Sequence, residues 1–297
     1  MSNQNKGLLL GLLGVSLFAL TLPLTKLLVS TLGIYEANFL RASLTGLIAL
    51  GFIWISRVKL PRSSQEWRLL IPIIITIGLG FPIGTAYAMQ TIPPGQGSVV
   101  LGLTPLLTAI IGAYISKQKL STRFWIAVFI GFAVITLYSF NKNQWVISQD
   151  ELGLLIASIS AGVGYAKAGK LSQIMDSKEV ISWVMTISLI FNIPLAFLFI
   201  SDDFTSLSEK LFQPAPLFAL LSLAIFTMYI ANFFWYQGLS IGGIAKVGQL
   251  LLLQPLITLF VSGLFFGESV GLLDYTVCLM LIGIILYCRR TPISNLQ

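Results

Sequence analysis

LGLTPLLT at 101–108 and LLLQPLIT at 251–258 are the two segments that decide how this chain is organised. Side by side they match at Leu101/Leu251, Leu103/Leu253, Pro105/Pro255, Leu106/Leu256 and Thr108/Thr258, all at an offset of 150. Leucine matches are cheap in an apolar chain, but two Pro-Leu-X-Thr segments inside apolar runs are not expected from composition. The offset carries back to Ala88 and Met89 against Gly238 and Leu239, at the same stage of the preceding run. The chain therefore reads as a duplication, with halves 1–145 and 146–297.

Outward from these segments, apolar stretches fall near 7–29, 34–56, 69–90, 95–116, 122–140, 152–171, 180–200, 215–238, 243–266 and 271–288. A helix needs about 20 apolar residues to cross a hydrocarbon core about 30 Å thick. Most of the stretches reach that length, and the fifth and tenth are near the short limit. The runs are continuously apolar, without the ten-residue alternation of barrel strands, and in lipid every backbone amide must be satisfied within the segment. Composition agrees: 56% of 297 residues are apolar and 10% charged, where a soluble domain has roughly a quarter charged. The expected fold is an all-α integral membrane protein of ten transmembrane helices in the lipid bilayer. The first stretch runs on without a small-residue cleavage site, so it reads as a retained span and not a signal peptide. The longest polar connections, 57–68, 141–151 and 201–214, leave no room for a soluble domain.

Loop charges set the orientation, because cytoplasmic loops collect lysine and arginine. Lys6, then Arg57, Lys59, Arg62 and Arg68, then Lys117, Lys119 and Arg123, then Lys170 and Lys178, and finally Arg289 and Arg290 mark alternate connections. The intervening ones hold Lys142 in one, and Lys210 beside Asp202, Asp203 and Glu209 in another. Both termini are expected to be cytoplasmic. The net charge of +7 thus belongs to topology; no basic stripe suggests nucleic acid as a partner. With five spans per half, the second repeat must be inverted. The fourth span accordingly ends in Lys117 and Lys119, and its counterpart, the ninth, in Gly267-Glu268-Ser269. Inverted repeats build many transporters, since exchanging the conformations of the halves moves a central site from one face to the other.

The five-plus-five plan, Phe39-Leu40-Arg41 early in the second span, the paired Pro105 and Pro255, and Phe266-Gly267-Glu268 closing the ninth span together resemble the EamA branch of the drug/metabolite transporter superfamily. The resemblance covers nearly the whole chain. It implies a carrier in a bacterial inner membrane, frequently an exporter of amino acids and related metabolites, with a cavity between the halves. The family often has Gly-Glu at the end of both the fourth and ninth spans; here the first copy reads Lys117-Gln118.

Polar or aromatic groups deep in spans are the candidates for touching cargo, because an unpartnered polar group in hydrocarbon costs several kcal/mol. Tyr229, Asn232, Phe233 and Tyr236 share one face of the eighth span, and Trp235 stands beside it. These rings fit either a cavity wall with Asn232 as hydrogen-bonding group, or packing and an interfacial belt. Lys246 and Gln249 share a face of the ninth span; Lys246 fits a substrate carboxylate or a headgroup anchor. Tyr87 in the third span and Tyr165 in the sixth are ring candidates. Tyr165 follows the run Ser158, Ser160, Ala161, Gly162 and Gly164, which allows close helix packing. Arg41 needs a partner, Glu36 or helix-end carbonyls, and reads as structural. Pro105 and Pro255 are candidate hinges, with Pro23, Pro82 and Pro194 also interrupting spans.

The substrate-binding set is therefore Tyr87, Tyr165, Asn232, Trp235, Tyr236, Lys246 and Gln249, and the partner a small molecule. The chain has no histidine, and its two cysteines, Cys278 and Cys288, lack zinc spacing, so no metal or cofactor is expected. No catalytic constellation and no phosphate loop is present. Enzymes and directly ATP-driven pumps are set aside. Acidic residues lie near span ends, as Glu36, Glu268 and Asp274 do, which favours uniport or export coupled through another group. Amino acids fit a cavity of rings and amides; drug-like cations, nucleotide-type metabolites and a non-transporting sensor or scaffold stay open, as do monomer and homodimer.

Overall fold

A computed structural model describes residues 3–115, 118–119, 122–142, 149–200, 204–243, 247–289 and 294–295. Each apolar stretch is helical among them. Eight helices are long and apolar enough to cross a membrane: Asn3–Leu32, Ile34–Ser56, Ser64–Ala88, Trp125–Lys142, Asp150–Leu171, Ser177–Phe199, Pro214–Gly242 and Gly248–Phe265. The fourth stretch is broken into Pro94–Leu101 and Thr104–Ile115, and the tenth forms Leu272–Arg289. The protein is a multi-pass, all-helical membrane protein; the one strand pairing among the described residues joins Gln118–Lys119 to Ser294–Asn295.

The two halves interleave. The first span packs on the eighth, the second on the seventh, the third on the sixth, the fourth on the ninth and the fifth on the tenth. Two crossings are backbone-close. A Cβ on Gly7 would stand 2.5 Å from Gly242 Cα, and one on Gly238 would stand 2.8 Å from Gly11 N, so glycine lets the first and eighth spans approach at backbone distance there. The third and sixth repeat the device, a Cβ on Gly84 falling 2.5 Å from Gly153 O. In lipid, where apolar burial does not drive helices together, such close approach supplies the packing energy. The small-residue run of the sixth span serves the same end: a Cβ on Gly162 would meet Leu107, and one on Gly164 would meet Ile77.

The duplication is visible in the irregularities of the helices. The third span is π-helical over Ile74–Gly80 and the eighth over Ser222–Ile230. The amides of Phe81 and Ala231 each reach back five residues, to Thr76 O and Phe226 O, at equivalent points of the repeat. The fourth and ninth spans break just before their prolines, at Gly102–Leu103 ahead of Pro105 and as a 3₁₀ turn over Gly248–Leu252 ahead of Pro255. Proline lacks an amide and clashes with the preceding turn, which is why the break recurs at the same place. The first span breaks between Phe18 and Thr21 for the same reason. Pro23 offers no donor to Ala19 O, and the Thr258 hydroxyl of the ninth span donates to that carbonyl instead, at 2.9 Å.

Candidate functional site

Where the two π segments return to α-helix, their walls enclose a narrow central cavity of about 20 Å³, room for roughly one water molecule. Ile77 and Phe81 line it from the third span, Thr227, Met228 and Asn232 from the eighth, and Phe18 and Thr21 from the break in the first. Tyr165 of the sixth span and Met185 of the seventh close it. Both junctions carry an asparagine on the carbonyl where the π register ends: Asn192 Nδ2 donates to Gly78 O at 3.4 Å and Asn232 Nδ2 to Met228 O at 2.8 Å. Pro82 has no amide to donate to Gly78 O, and Asn192 Nδ2, which also donates to Ser188 O of its own helix at 3.0 Å, reaches that carbonyl.

Tyr165 and Asn232 stand in the cavity wall. Tyr165 stacks on Phe18 with ring centroids 5.7 Å apart, and Trp235 meets both rings edge-on, at 6.3 Å from Phe18 and 5.8 Å from Tyr165. Trp235 and Tyr236 are fully buried in the same core but, unlike Tyr165 and Asn232, do not line the cavity. The chemistry of this aromatic cluster lies in what it leaves unmade: Asn232 Oδ1, Trp235 Nε1 and Tyr236 OH are buried without a hydrogen-bond partner. Each such group costs about 1–3 kcal/mol when nothing pairs with it; other buried polar atoms, Asn192 Oδ1 and Ser262 Oγ among them, are also unpaired, but these three belong to neighbouring residues of one helix. The set holds two donors and an acceptor beside rings, the inventory that an amphipathic solute with polar atoms satisfies.

The other sequence candidates lie elsewhere. Tyr87 is 37% exposed on the outside of the bundle and does not line the cavity. Gln249 is half-buried and also outside the lining, and Lys246 lies outside the described residues. Pro105 and Pro255 are buried at the two helix breaks. The eighth-span stripe divides: Asn232 and Tyr236 are buried, whereas Tyr229 and Phe233 are half-buried, with Tyr229 OH 2.6 Å from Ser182 Oγ. Phe18, Thr21, Phe81 and Thr227 are lining residues that the sequence reading passed over. Their signal is faint, since a threonine in an apolar helix satisfies itself, as Thr227 does by donating to Leu223 O.

Three charged groups within or at the ends of the spans have defined partners. Arg41 is 1% exposed; Nη1 donates to Thr25 Oγ1 at 2.6 Å, and Nη2 to Pro82 O and to Thr85 Oγ1. Its partners are thus mid-helix groups of the first and third spans, and its Nε has none. Asp274, at the start of the tenth span, is 3% exposed but well supplied: Lys142 Nζ and Tyr138 OH each stand 2.7 Å from Oδ1, and Gly271 N donates to Oδ2. A buried carboxylate therefore does exist, at a span end and already paired. Glu268 accepts from Gly95 N through both oxygens, at 3.0 and 2.8 Å. Pro93 and Pro94 have no amide, so Gly95 offers the first donor of the fourth-span helix, and the carboxylate sits on the positive end of its dipole. That is the work of the Gly-Glu closing the ninth span.

The sequence profile of the EamA-like transporter family matches residues 5–140 and again 150–289. A Bacillus subtilis protein called uncharacterized transporter YdeK is 33% identical over 274 residues, 91% of this chain and 92% of that protein. A Synechocystis sp. protein called uncharacterized transporter sll0355 is 23% identical over 256 residues, 79% of this chain and 75% of its own. A solved crystal structure superposes with a TM-score of 0.67 over 96% of this chain and 98% of its own at 14% identity, which shows a shared fold.

Proposed function

We propose that this chain, which belongs to the EamA-like transporter family and is a membrane transporter, not an enzyme, is a secondary carrier that exports amino acids or related amphipathic metabolites. It works from the bacterial inner membrane by alternating access, with ten spans, cytoplasmic termini, and 1–145 and 146–297 as the exchanging halves. The observation that carries this reading is the central cavity whose aromatic surround leaves Asn232 Oδ1, Trp235 Nε1 and Tyr236 OH unpaired. A small solute with a polar head and an apolar body supplies their missing partners while its body lies against Phe18, Phe81 and Tyr165.

The cavity's size fits a contracted state. Space for about one water must widen before cargo enters, and the material for widening lies in its walls. Both π segments border it, each a stretch where the backbone hydrogen-bond register is already shifted and the helix is weaker. Relaxing one junction and tightening the other moves the access from one face to the other without altering the site between them.

Uptake into proteoliposomes of the purified protein, with a panel of labelled amino acids, tests the reading. Saturable uptake of one compound, lost in Asn232→Ala and Tyr236→Phe but kept in Tyr87→Ala, is the expected result. Transport no faster than in empty liposomes for every panel member would sink the amino-acid assignment.

A further inference from the structure

We propose that Arg41 is the anion-recognition residue of this carrier, so that its substrates carry a carboxylate. The proposal rests on the carrier reading above and narrows its cargo to acids and zwitterions, at the expense of cations.

Three helices place Arg41 one turn from the cavity. On the first span Thr21 lines the cavity and Thr25, four residues on and on the same face, accepts from Arg41 Nη1. On the third, Phe81 lines the cavity and Thr85, again four residues on, accepts from Nη2 and donates to Phe81 O at 2.9 Å. On the second span itself Thr45 donates to Arg41 O at 2.7 Å and reaches Met228 Sδ, part of the cavity wall, at 3.7 Å. One helical turn is about 5.4 Å, within the reach of a substrate seated among the rings once the cavity widens.

The partners given to the guanidinium are two hydroxyls and one carbonyl, all neutral. A tie between the first three spans needs only a neutral donor such as a glutamine. A permanent cation at 1% exposure is the costly choice, and an intramembrane charge of this kind marks a functional site. Nε–H is buried and unpaired, leaving donor capacity in a fork whose planar geometry suits a carboxylate. Among the described residues no acidic side chain lines the cavity. The guanidinium, hydrogen-bonded to neutral groups one turn from the lining, favours an anionic head there over a cationic one.

The test compares a labelled amino acid with its carboxamide and its decarboxylated amine in proteoliposomes of the full chain, as wild type, Arg41→Lys and Arg41→Gln. Wild type is expected to move the acid with kcat/KM roughly tenfold or more above the amide, the gain of one hydrogen bond to a charged group. Arg41→Gln should bring acid and amide within about twofold of each other while amide transport persists; Arg41→Lys should keep the preference with a raised KM for the acid. Equal transport of acid and amide by wild type, or an undiminished acid preference in Arg41→Gln, overturns the proposal and leaves the carrier reading standing. If Arg41→Gln does not insert, equal KM shifts for acid and amide in Arg41→Lys overturn it. If no compound moves, thermal unfolding of wild type with each compound decides: a rise in Tm selective for the acid keeps the Arg41 site and removes the carrier reading, and no such rise removes both.

Discussion

The third and eighth spans are one backbone built twice, yet they do different work. In both, a π segment ends at the equivalent peptide and an asparagine amide covers the carbonyl there. At one of the equivalent positions where they differ stand Pro82 in the third span and Asn232 in the eighth. Asn232 covers Met228 O from its own helix and keeps Oδ1 unpaired in the cavity wall. Pro82 cannot donate, so Gly78 O draws on Asn192 of the seventh span, and the carbonyl of Pro82 itself holds Arg41. Duplication thus supplies matched backbone geometry, while side chains that differ between the copies, Pro82 and Asn232 among them, give neutral hydrogen bonding in the eighth span and a fixed positive charge beside the third.

The largest effect expected from breaking this pairing is at the glycine crossings. Gly238→Val and Gly84→Val each drive a side chain into backbone of the partner span, an overpacking of about 3 kcal/mol or more. Size-exclusion of the detergent-extracted variants should show neither as a monodisperse species; a normal profile for one alone would show that the two crossings are not equivalent. Next come the two asparagines. Asn232→Ala and Asn192→Ala should each lower stability by roughly 1 kcal/mol, but only Asn232→Ala should lower kcat/KM, by about tenfold, because Asn192 does not line the cavity. Comparable transport losses in both would erase the division of labour.

A finer test restores the missing donor. In Pro82→Ala a backbone amide becomes available to Gly78 O, so Asn192→Ala should cost less in that background, with a coupling of about 0.5 kcal/mol or more in a double-mutant cycle followed by thermal unfolding. Additive costs would disconnect Pro82 from Asn192. The smallest effect belongs to the neighbouring repeat pair. Thr258 donates across to Ala19 O, whereas its counterpart Thr108 donates within its own helix to Thr104 O. Thr258→Val should lose about 0.6 kcal/mol of stability, and Thr108→Val less. The reverse order would show that the break in the first span does not depend on the ninth.

Part of the site was legible in the sequence for a simple reason. A phenol or an amide in the middle of an apolar run is conspicuous, and Tyr165 and Asn232 stand in the wall on that account. Tyr87 is equally conspicuous by type, but its side of the helix is fixed by packing, which leaves it 37% exposed. The partners of Arg41 could not be read at all: two are threonines from other helices, and one is the carbonyl of Pro82, which no residue type announces.

The sequence by itself determined that the chain is helical, membrane-embedded and duplicated. Apolar length answers to the thickness of the bilayer, and proline marks the same helix break in each copy wherever the helices pack. Only the tertiary structure decided which faces turn inward, which polar atoms are left unpaired, and that a buried arginine stands one turn from the cavity among neutral groups. Those features depend on how helices distant in sequence are rotated against one another. That rotation is set by close glycine contacts and by carbonyls that π segments and prolines leave for other spans to cover.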